Sequence, residues 1–358
     1  MPQGRGIYKG EPVFDEIKQQ EWSATTNPKI GIIGTGNMGR IHARVLSNIR
    51  ALTAVADTDV KQAEEVAQMY NVESFNDFES LIEHAELDGV IISTPTATHA
   101  EIAESVAKKQ DGIRGILIEK PLASNLKDAR KLAEVLRKKD ITVLVGHSEI
   151  YNPVVERALN LIKEGAIGVP QTVIHDRRGF VQAERLSSLG DVFEDIGVHD
   201  FDIMTRISSG NATLYAQCQT KNEILNTGNV TVKFENEAQH IFHLSRQYVG
   251  RKRSMDVSGT KGTLNLDLFG QVIKVQDLDQ APLADSRTIQ LIERGATIKV
   301  YGEPILQVIT DFLHCIETGS SPKVDLDDGI LALEVVEAAR RSAISGKVVN
   351  INIQSRHI

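Results

Sequence analysis

The chain of 358 residues holds only two cysteines, Cys218 and Cys315, and one tryptophan, Trp22. Two thiols so far apart make neither a C-x-x-C pair nor the disulfide framework of small secreted domains, which points to a reducing, cytoplasmic setting. No stretch approaches the roughly 20 uninterrupted apolar residues of a membrane span, and the N-terminus MPQGRGIYKGEPVFDEIKQQ lacks the apolar core of a signal peptide. Neither export nor membrane insertion is expected. Positive charge is also in deficit, with 40 Lys and Arg against 48 Asp and Glu and a formal charge of −8. That balance argues against a broad footprint for nucleic acid or an anionic membrane and leaves small molecules as the expected ligands. There is no internal repeat, and no Cys/His cluster of the kind that binds zinc, so no metal is expected.

What is present is ordinary globular composition, 41% apolar and 25% charged, in a chain too long for a single core of about 100–200 residues. Three parts are expected. Residues 1–28, with scattered Gly and Pro and no period, read as an arm for which Trp22 is the one candidate anchor. Residues 29–150 alternate short apolar runs with helical-period segments. The runs are KIGIIG (29–34), ALTAVAD (51–57), DGVIIST (88–94), GILIEK (115–120) and ITVLVGH (141–147). Runs this short and this rich in Val, Ile and Leu suit strands covered on both faces. Helical faces lie between them: Val60, Ala63, Val66 and Ala67; Ala100, Ile102, Ala103 and Val106, entered by a Thr98–Glu101 capping box; and Asn125 to Lys139. Strand, helix, strand in repetition specifies an α/β fold with a doubly wound parallel sheet.

Residues 151–358 follow another grammar. Helices are predicted at 154–164 and 195–207, a strand at 171–178, then strand-like stretches at 213–219, 229–234, 239–248, 253–259, 262–268 and 271–275. Residues 277–298 read as a loop, and helices at 303–318 and 326–345 close the chain. This is an α+β domain with a large, mostly antiparallel sheet, one face against helices and one open. An exposed sheet face is costly in a monomer, so a homodimer or homotetramer formed through that face is expected.

Gly34-Thr35-Gly36-Asn37-Met38-Gly39 is a G-x-G-x-x-G turn directly after a strand and opening a helix, with Asp57 closing the next strand. In that context the motif is a dinucleotide fingerprint. Gly34 permits the tight turn, Gly36 lets backbone N–H groups approach a pyrophosphate, and Gly39 lets helix and strand pack closely. A carboxylate at Asp57 accepts from both ribose hydroxyls of NAD and repels the extra phosphate of NADP, and neither Thr58 nor Asp59 offers that phosphate a cation. NAD is the expected cofactor. Thr94 and Pro95, at the carboxyl edge of the third run, are placed to line the nicotinamide–ribose crevice; His99 is equally a cofactor contact or a locally packed helix residue.

Two further groups belong where such a sheet carries its chemistry. Glu119-Lys120-Pro121 ends a strand, so Lys120 emerges beside the nicotinamide, either to hold a substrate oxygen or as a solvated loop lysine. In DIGVHDFD (195–202) the spacing of four puts Asp195 and His199 on one helical face. They are either a base and its orienting carboxylate or an ordinary surface pair.

In this order GTGNMG, STPTATH, EKPLA, GHSEIYNP (146–153) and DIGVHDFD resemble the Gfo/Idh/MocA oxidoreductase family, from about Lys29 to the C-terminal segment. The resemblance implies an N-terminal Rossmann domain, Glu119 and Lys120 at the cofactor, and Lys120, Asp195 and His199 as the catalytic set. Within the family, G-H-x-E-x-[YF]-N-P is similar to the form found in UDP-N-acetylglucosamine 3-dehydrogenases, except that Ile150 stands where Arg is usual. The implied activity is NAD-dependent oxidation of a secondary hydroxyl on a sugar, foremost a nucleotide sugar. A free-sugar or inositol dehydrogenase of the same family is one alternative, and a non-catalytic NAD-binding sensor or scaffold is another. Substrate contacts are expected from Tyr151 and Asn152, which follow the last strand of the first domain, and from Arg177 or Arg178. These two alternate along a strand, so one of them offers a bidentate donor to phosphate; an outward salt bridge accounts for either equally well. Arg246, Lys252 and Arg253 read as decoration of the open sheet.

Overall fold

The first half of the chain runs β1 (Ile30–Ile33), α1 (Asn37–Asn48), β2 (Leu52–Ala56), α2 (Val60–Tyr70), β3 (Glu73–Phe75), α3 (Phe78–His84), β4 (Gly89–Ile92), α4 (Thr96–Lys109), β5 (Gly115–Ile118), α5 (Leu126–Leu136) and β6 (Thr142–Val145). These elements come from a computed structural model that describes residues 28–109, 112–221, 223–277 and 296–355. The expected arm lies almost wholly outside the described residues. The six strands pair in parallel in the order β3-β2-β1-β4-β5-β6, the doubly wound arrangement. β1, β4 and β5 are buried at every position, as strands covered by helices on both faces must be. Capping side chains set the helix starts: Asp77 accepts from Ser80 N at 2.6 Å and Asn125 from Asp128 N at 2.9 Å. The strand β3 was not expected; three residues at a sheet edge, two of them exposed, carry no apolar run to read. The predicted capping box at Thr98 is also absent. α4 begins two residues earlier, and the Thr98 hydroxyl donates back to the Pro95 carbonyl at 2.8 Å.

The second half supplies α6 (Pro153–Lys163), β7 (Pro170–Phe180), α7 (Val198–Ile207), β8 (Gly210–Lys221), β9 (Ile224–Phe234), β10 (Gln239–Ser245), β11 (Gln247–Gly259), β12 (Gly262–Asp267), β13 (Val272–Asp277), β14 (Ala296–Lys299), α8 (Pro304–Thr318), α9 (Leu326–Ser345) and β15 (Val349–Ile353). Nine strands form one sheet in the order β14-β13-β12-β11-β7-β10-β9-β8-β15, antiparallel throughout except where β10 runs parallel to β7. β14 lies in the stretch read as a loop; residues 278–295 are outside the described set. Burial alternates along β7 to β10; Phe201 and Asp200 of α7 meet Phe242 and Arg177 on the inner face, α6 packs on β12 and β13, and the other face of β7 to β10 is exposed.

The chain divides into two units, with one break after Tyr151, next to the expected boundary at 150, and a later segment that groups with the first part. Among the described residues the N-terminal unit joins residues 28–151 with Glu303–Glu337, and the C-terminal unit comprises Asn152–Gly302 and residues 338–355. α8 therefore belongs to the first unit. Its apolar face is buried there because Gly89 and Gly115, lacking side chains, leave room for Phe312 and Ile316. Among the described residues no helix is long and apolar enough to cross a membrane.

Within the C-terminal unit the inward residues of β7 and β10 include two fully buried histidines. His175 stacks on Phe242 with ring centres 4.3 Å apart, its Nε2 lies 3.1 Å from His240 Nδ1, and His240 Nε2 lies 2.9 Å from the Ser208 hydroxyl. Burial lowers the pKa of His175 to about 3 and that of His240 well below the histidine range. Both rings are neutral in the folded chain but titrate near pH 6.5 when unfolded. Their stabilising contribution is therefore complete above about pH 6.5 and falls as acid protonates the unfolded state. Each contributes at most about 1.4 kcal/mol per pH unit. Urea midpoints should drop steadily between about pH 6.5 and pH 4, and His175→Gln should flatten part of that slope.

Candidate active site

The β1–α1 turn is shaped by what its glycines exclude. Gly34 has φ +93°, and a Cβ there would lie 2.8 Å from the Ser93 backbone; one on Gly39 would lie 1.9 Å from the Gly34 carbonyl oxygen. Gly36 differs, since a Cβ there would meet no protein atom within 4 Å. It is the N-cap of α1, and no side chain caps that end. Exposed Asn37 and half-buried Met38 follow in the first turn. The helix thus presents its leading N–H groups to open space, as an anion site requires.

Asp57 stands at the end of β2 on the same cleft. Its Oδ2 accepts from the Thr35 N–H at 2.6 Å and the Thr35 hydroxyl at 2.9 Å, and its Oδ1 accepts from Asp59 N at 2.9 Å. The cleft measures about 640 Å³ and is walled by Gly34, Gly36, Asp57, Thr94, Pro95 and Thr98, among others. Among the described residues no Lys or Arg lines it. A diphosphate at Gly36 and ribose hydroxyls at Asp57 fit this donor and acceptor set, with nothing to hold an additional ribose phosphate.

Lys120 follows β5 at the carboxyl edge of the sheet, joined to Pro121 by a cis peptide bond. Glu119 does not line the cleft. It is buried, with Oε1 2.8 Å from His42 Nε2 and Oε2 accepting from Lys120 N at 3.1 Å. Burial works against its charge, but His42 and the neighbouring Lys120 outweigh it and hold its pKa below the usual carboxylate range. His99 is buried as well, with Nδ1 3.0 Å from the Pro121 carbonyl oxygen and Nε2 2.9 Å from that of Thr94. Burial lowers its pKa while the two carbonyls act the other way, and the ring lies between the Thr94 and Pro121 carbonyls, to one of which a neutral imidazole donates its single N–H. His42 was missed in the sequence although helical spacing puts it on the buried face of α1 with Gly39, Ala43 and Leu46.

In the C-terminal unit Asp195 and His199 lie on successive turns, but the helix is not uniform. Phe193–Gly197 is a π-helical turn that passes into α7 at Val198. Such turns recur at functional sites because they widen the helix and reorient a side chain. The turn is held from two sides. Asp191 Oδ1 accepts from the N–H groups of Phe193 and Glu194, both at 3.0 Å, and Arg340 donates to Asp191 at 2.5 Å and to Glu194 at 3.0 Å. Arg246 is buried beside Asp195, Nη1 to Oδ2 at 3.4 Å. It is not surface decoration, and the sequence held a signal: the period of two that turns His240, Phe242 and Leu244 inward also turns Arg246 inward.

Four expected substrate contacts have partners inside their own units. The Tyr151 hydroxyl donates to Asp311 at 2.6 Å and its ring is buried. Asn152 caps α6, accepting from Val154 N at 3.1 Å and donating to the Leu268 carbonyl at 3.2 Å. Arg177 is buried in a two-pronged pair with Asp200, at 2.8 and 3.1 Å. Arg178 faces outward, paired with Asp176 at 2.6 and 2.8 Å and lying over the Tyr248 ring. The structure thus gives the two arginines the salt-bridge role instead of an open donor, and Tyr151 and Asn152 a role in the interior. Lys120 belongs to the N-terminal unit and Asp195 and His199 to the C-terminal one.

Residues 28–147 match the GFO/IDH/MocA oxidoreductase family with its NAD-binding Rossmann fold, and residues 155–265 match the GFO/IDH/MocA C-terminal domain. The myo-inositol 2-dehydrogenase of Thermotoga maritima is 26% identical over 88% of this chain and 96% of its own length. The UDP-N-acetylglucosamine 3-dehydrogenase of Acidithiobacillus ferrooxidans is 30% identical over 49% of this chain and 52% of its own. A crystal structure of the latter superposes with TM-score 0.78 at 21% identity, covering 89% of this chain and 98% of that one. An oxidoreductase from Agrobacterium radiobacter, solved with NAD+, superposes with TM-score 0.76 at 21% identity over 92% of this chain and 99% of its own. These structural likenesses show a shared fold.

The two glycines should separate folding from binding. Gly39→Ala is expected to lose on the order of 1–3 kcal/mol or more in urea melts, because its methyl meets backbone. Gly36, at φ −67°, accepts Ala without strain; its melt should stay within about 0.5 kcal/mol while NAD affinity in calorimetry falls at least about tenfold.

Proposed function

Since the chain belongs to the GFO/IDH/MocA family of oxidoreductases, with an NAD-binding Rossmann domain, we propose that it oxidises a secondary hydroxyl of a sugar or cyclic polyol. The observation that carries this reading is the D-x-x-x-H pair, Asp195 on a braced π-helical turn and His199 in the first turn of α7, in a chain whose other unit holds the dinucleotide cleft. In this reading His199 takes the hydroxyl proton, Asp195 orients the imidazole, and the Lys120 ammonium holds the oxygen as negative charge grows on it. NAD, held at Gly34–Gly39 and Asp57, supplies the two-electron acceptor. Thr94 and Pro95 flank the nicotinamide side of the cleft, and fixing carbinol and acceptor together removes much of the entropic part of the barrier.

For the substrate, the sequence pattern alone favours a nucleotide sugar, and two observations favour a free cyclic polyol or sugar instead. Arg177 and Arg178, the candidate pyrophosphate donors, are engaged by Asp200 and Asp176. The inositol dehydrogenases match along nearly their whole lengths, whereas the UDP-N-acetylglucosamine enzyme matches over half. We also assign the outward face of the nine-stranded sheet, where Ile174, Tyr215 and Ile241 are exposed, to contact with a second copy of the chain.

A panel of inositols, free pyranoses and UDP-sugars with NAD, followed by near-ultraviolet absorbance, tests the reading. Turnover is expected with an inositol or free sugar; turnover confined to a UDP-sugar would restore the nucleotide-sugar assignment, and NAD binding without any turnover would favour a sensor. Lys120→Ala and His199→Ala should each lower kcat by about 10²–10⁴ while NAD still binds. Light scattering at micromolar concentration should give a dimer or tetramer, and Ile174→Lys with Ile241→Lys should shift it to smaller species; a monomeric parent protein would remove the assigned contact.

A further inference from the structure

Arg246 is the largest wholly buried side chain among the described residues, and it occupies the single position between β10 and β11. Nε donates to Asn226 Oδ1 at 3.0 Å, Nη1 to the Gly190 carbonyl at 2.9 Å and Nη2 to the Leu225 carbonyl at 3.3 Å. The remaining contact is Asp195 Oδ2, 3.4 Å from Nη1. Three neutral acceptors satisfy N–H groups without balancing a charge, and an interior guanidinium is costly unless an anion lies beside it. Asp195 is the carboxylate in contact. The same nitrogen that meets Asp195 also grips Gly190, so the arginine ties the carboxylate to the backbone at the entry of the π-helical turn. The turn itself has an independent anchor in Arg340, which holds Asp191 and Glu194.

We propose that Arg246 is a positioning residue for the reaction: it fixes the Asp195 carboxylate, through Oδ2, in the orientation in which that carboxylate serves His199. This rests on the acid–base reading of Asp195 and His199 given above. Because Arg340 holds the turn separately, loss of Arg246 acts mainly on the carboxylate. The five donors of a guanidinium, set in a rigid fork, meet four acceptors here, which a lysine's single ammonium does not reproduce.

The test is a double-mutant cycle on the full-length enzyme with NAD and myo-inositol, or with UDP-N-acetylglucosamine should the panel select it. R246M is expected to lower kcat by about 10- to 100-fold, a part of the general-base contribution, with KM and NAD affinity little changed. D195N should lower kcat further, and D195N/R246M should be no slower than D195N, because the arginine acts through the carboxylate. R246K should recover part of the loss. An R246M enzyme with undiminished kcat, or a double variant slowed by the product of the two single losses, overturns the proposal and leaves the acid–base reading standing. An undiminished D195N overturns both. If R246M does not fold, R246K takes its place in the cycle under the same criteria.

Discussion

A single close approach governs the N-terminal unit. The first residues of α1 pass so near the end of β1 that a methyl on Gly39 would sit inside the Gly34 carbonyl, and Gly34 itself presses on the backbone after β4. With both contacts made, the helix axis points its unpaired N–H groups across the carboxyl edge of the sheet, and Asp57, locked to Thr35, takes its place beside them. The open end of α1, the carboxylate of Asp57 beside it and the crevice at Thr94 are thus consequences of one steric condition and the parallel sheet that surrounds it.

The C-terminal unit is organised by buried charge. Buried Arg177 with Asp200, buried Arg246 with Asp195, and half-buried Arg340 with Asp191 and Glu194 all meet the segment Gly190–Ile207. Buried ion pairs add little net stability compared with well-packed apolar groups, but breaking one is expensive, so they fix geometry where geometry matters. The segment they fix is the one bearing Asp195 and His199. The paired histidines on the inner sheet face add a neutral, acid-sensitive part to the same interior.

Much of this was legible in the residues. Period-two and period-3.6 patterns gave five of the six parallel strands, the central strands of the second sheet and the closing helices near their observed limits; β3, β14 and β15, short strands of three to five residues at sheet edges, escaped because so short a run carries little period. Glycine spacing with Asp57 gave the cleft, since those requirements are local to one βα turn. His42 and Arg246 escaped through habit about residue type: their positions fell on buried faces, but His and Arg are read first as surface residues. Tyr151 and Asn152 are expected as substrate contacts from their place after the last strand of the first domain, and Arg177 from its alternation along a strand. Their partners, Asp311, Leu268 and Asp200, are remote in sequence and only folding brings them into reach.

The sequence by itself determined most of the order of strands and helices and the glycine turn after β1. These follow from backbone sterics and from periodicities that act over a few residues. Only the tertiary structure decided which unit α8 joins, that the Asp195 turn is π-helical, and that Arg246 lies beneath it. Such outcomes depend on which distant carbonyls and carboxylates are left without water, and a buried charge settles beside whichever of them the completed sheet brings near.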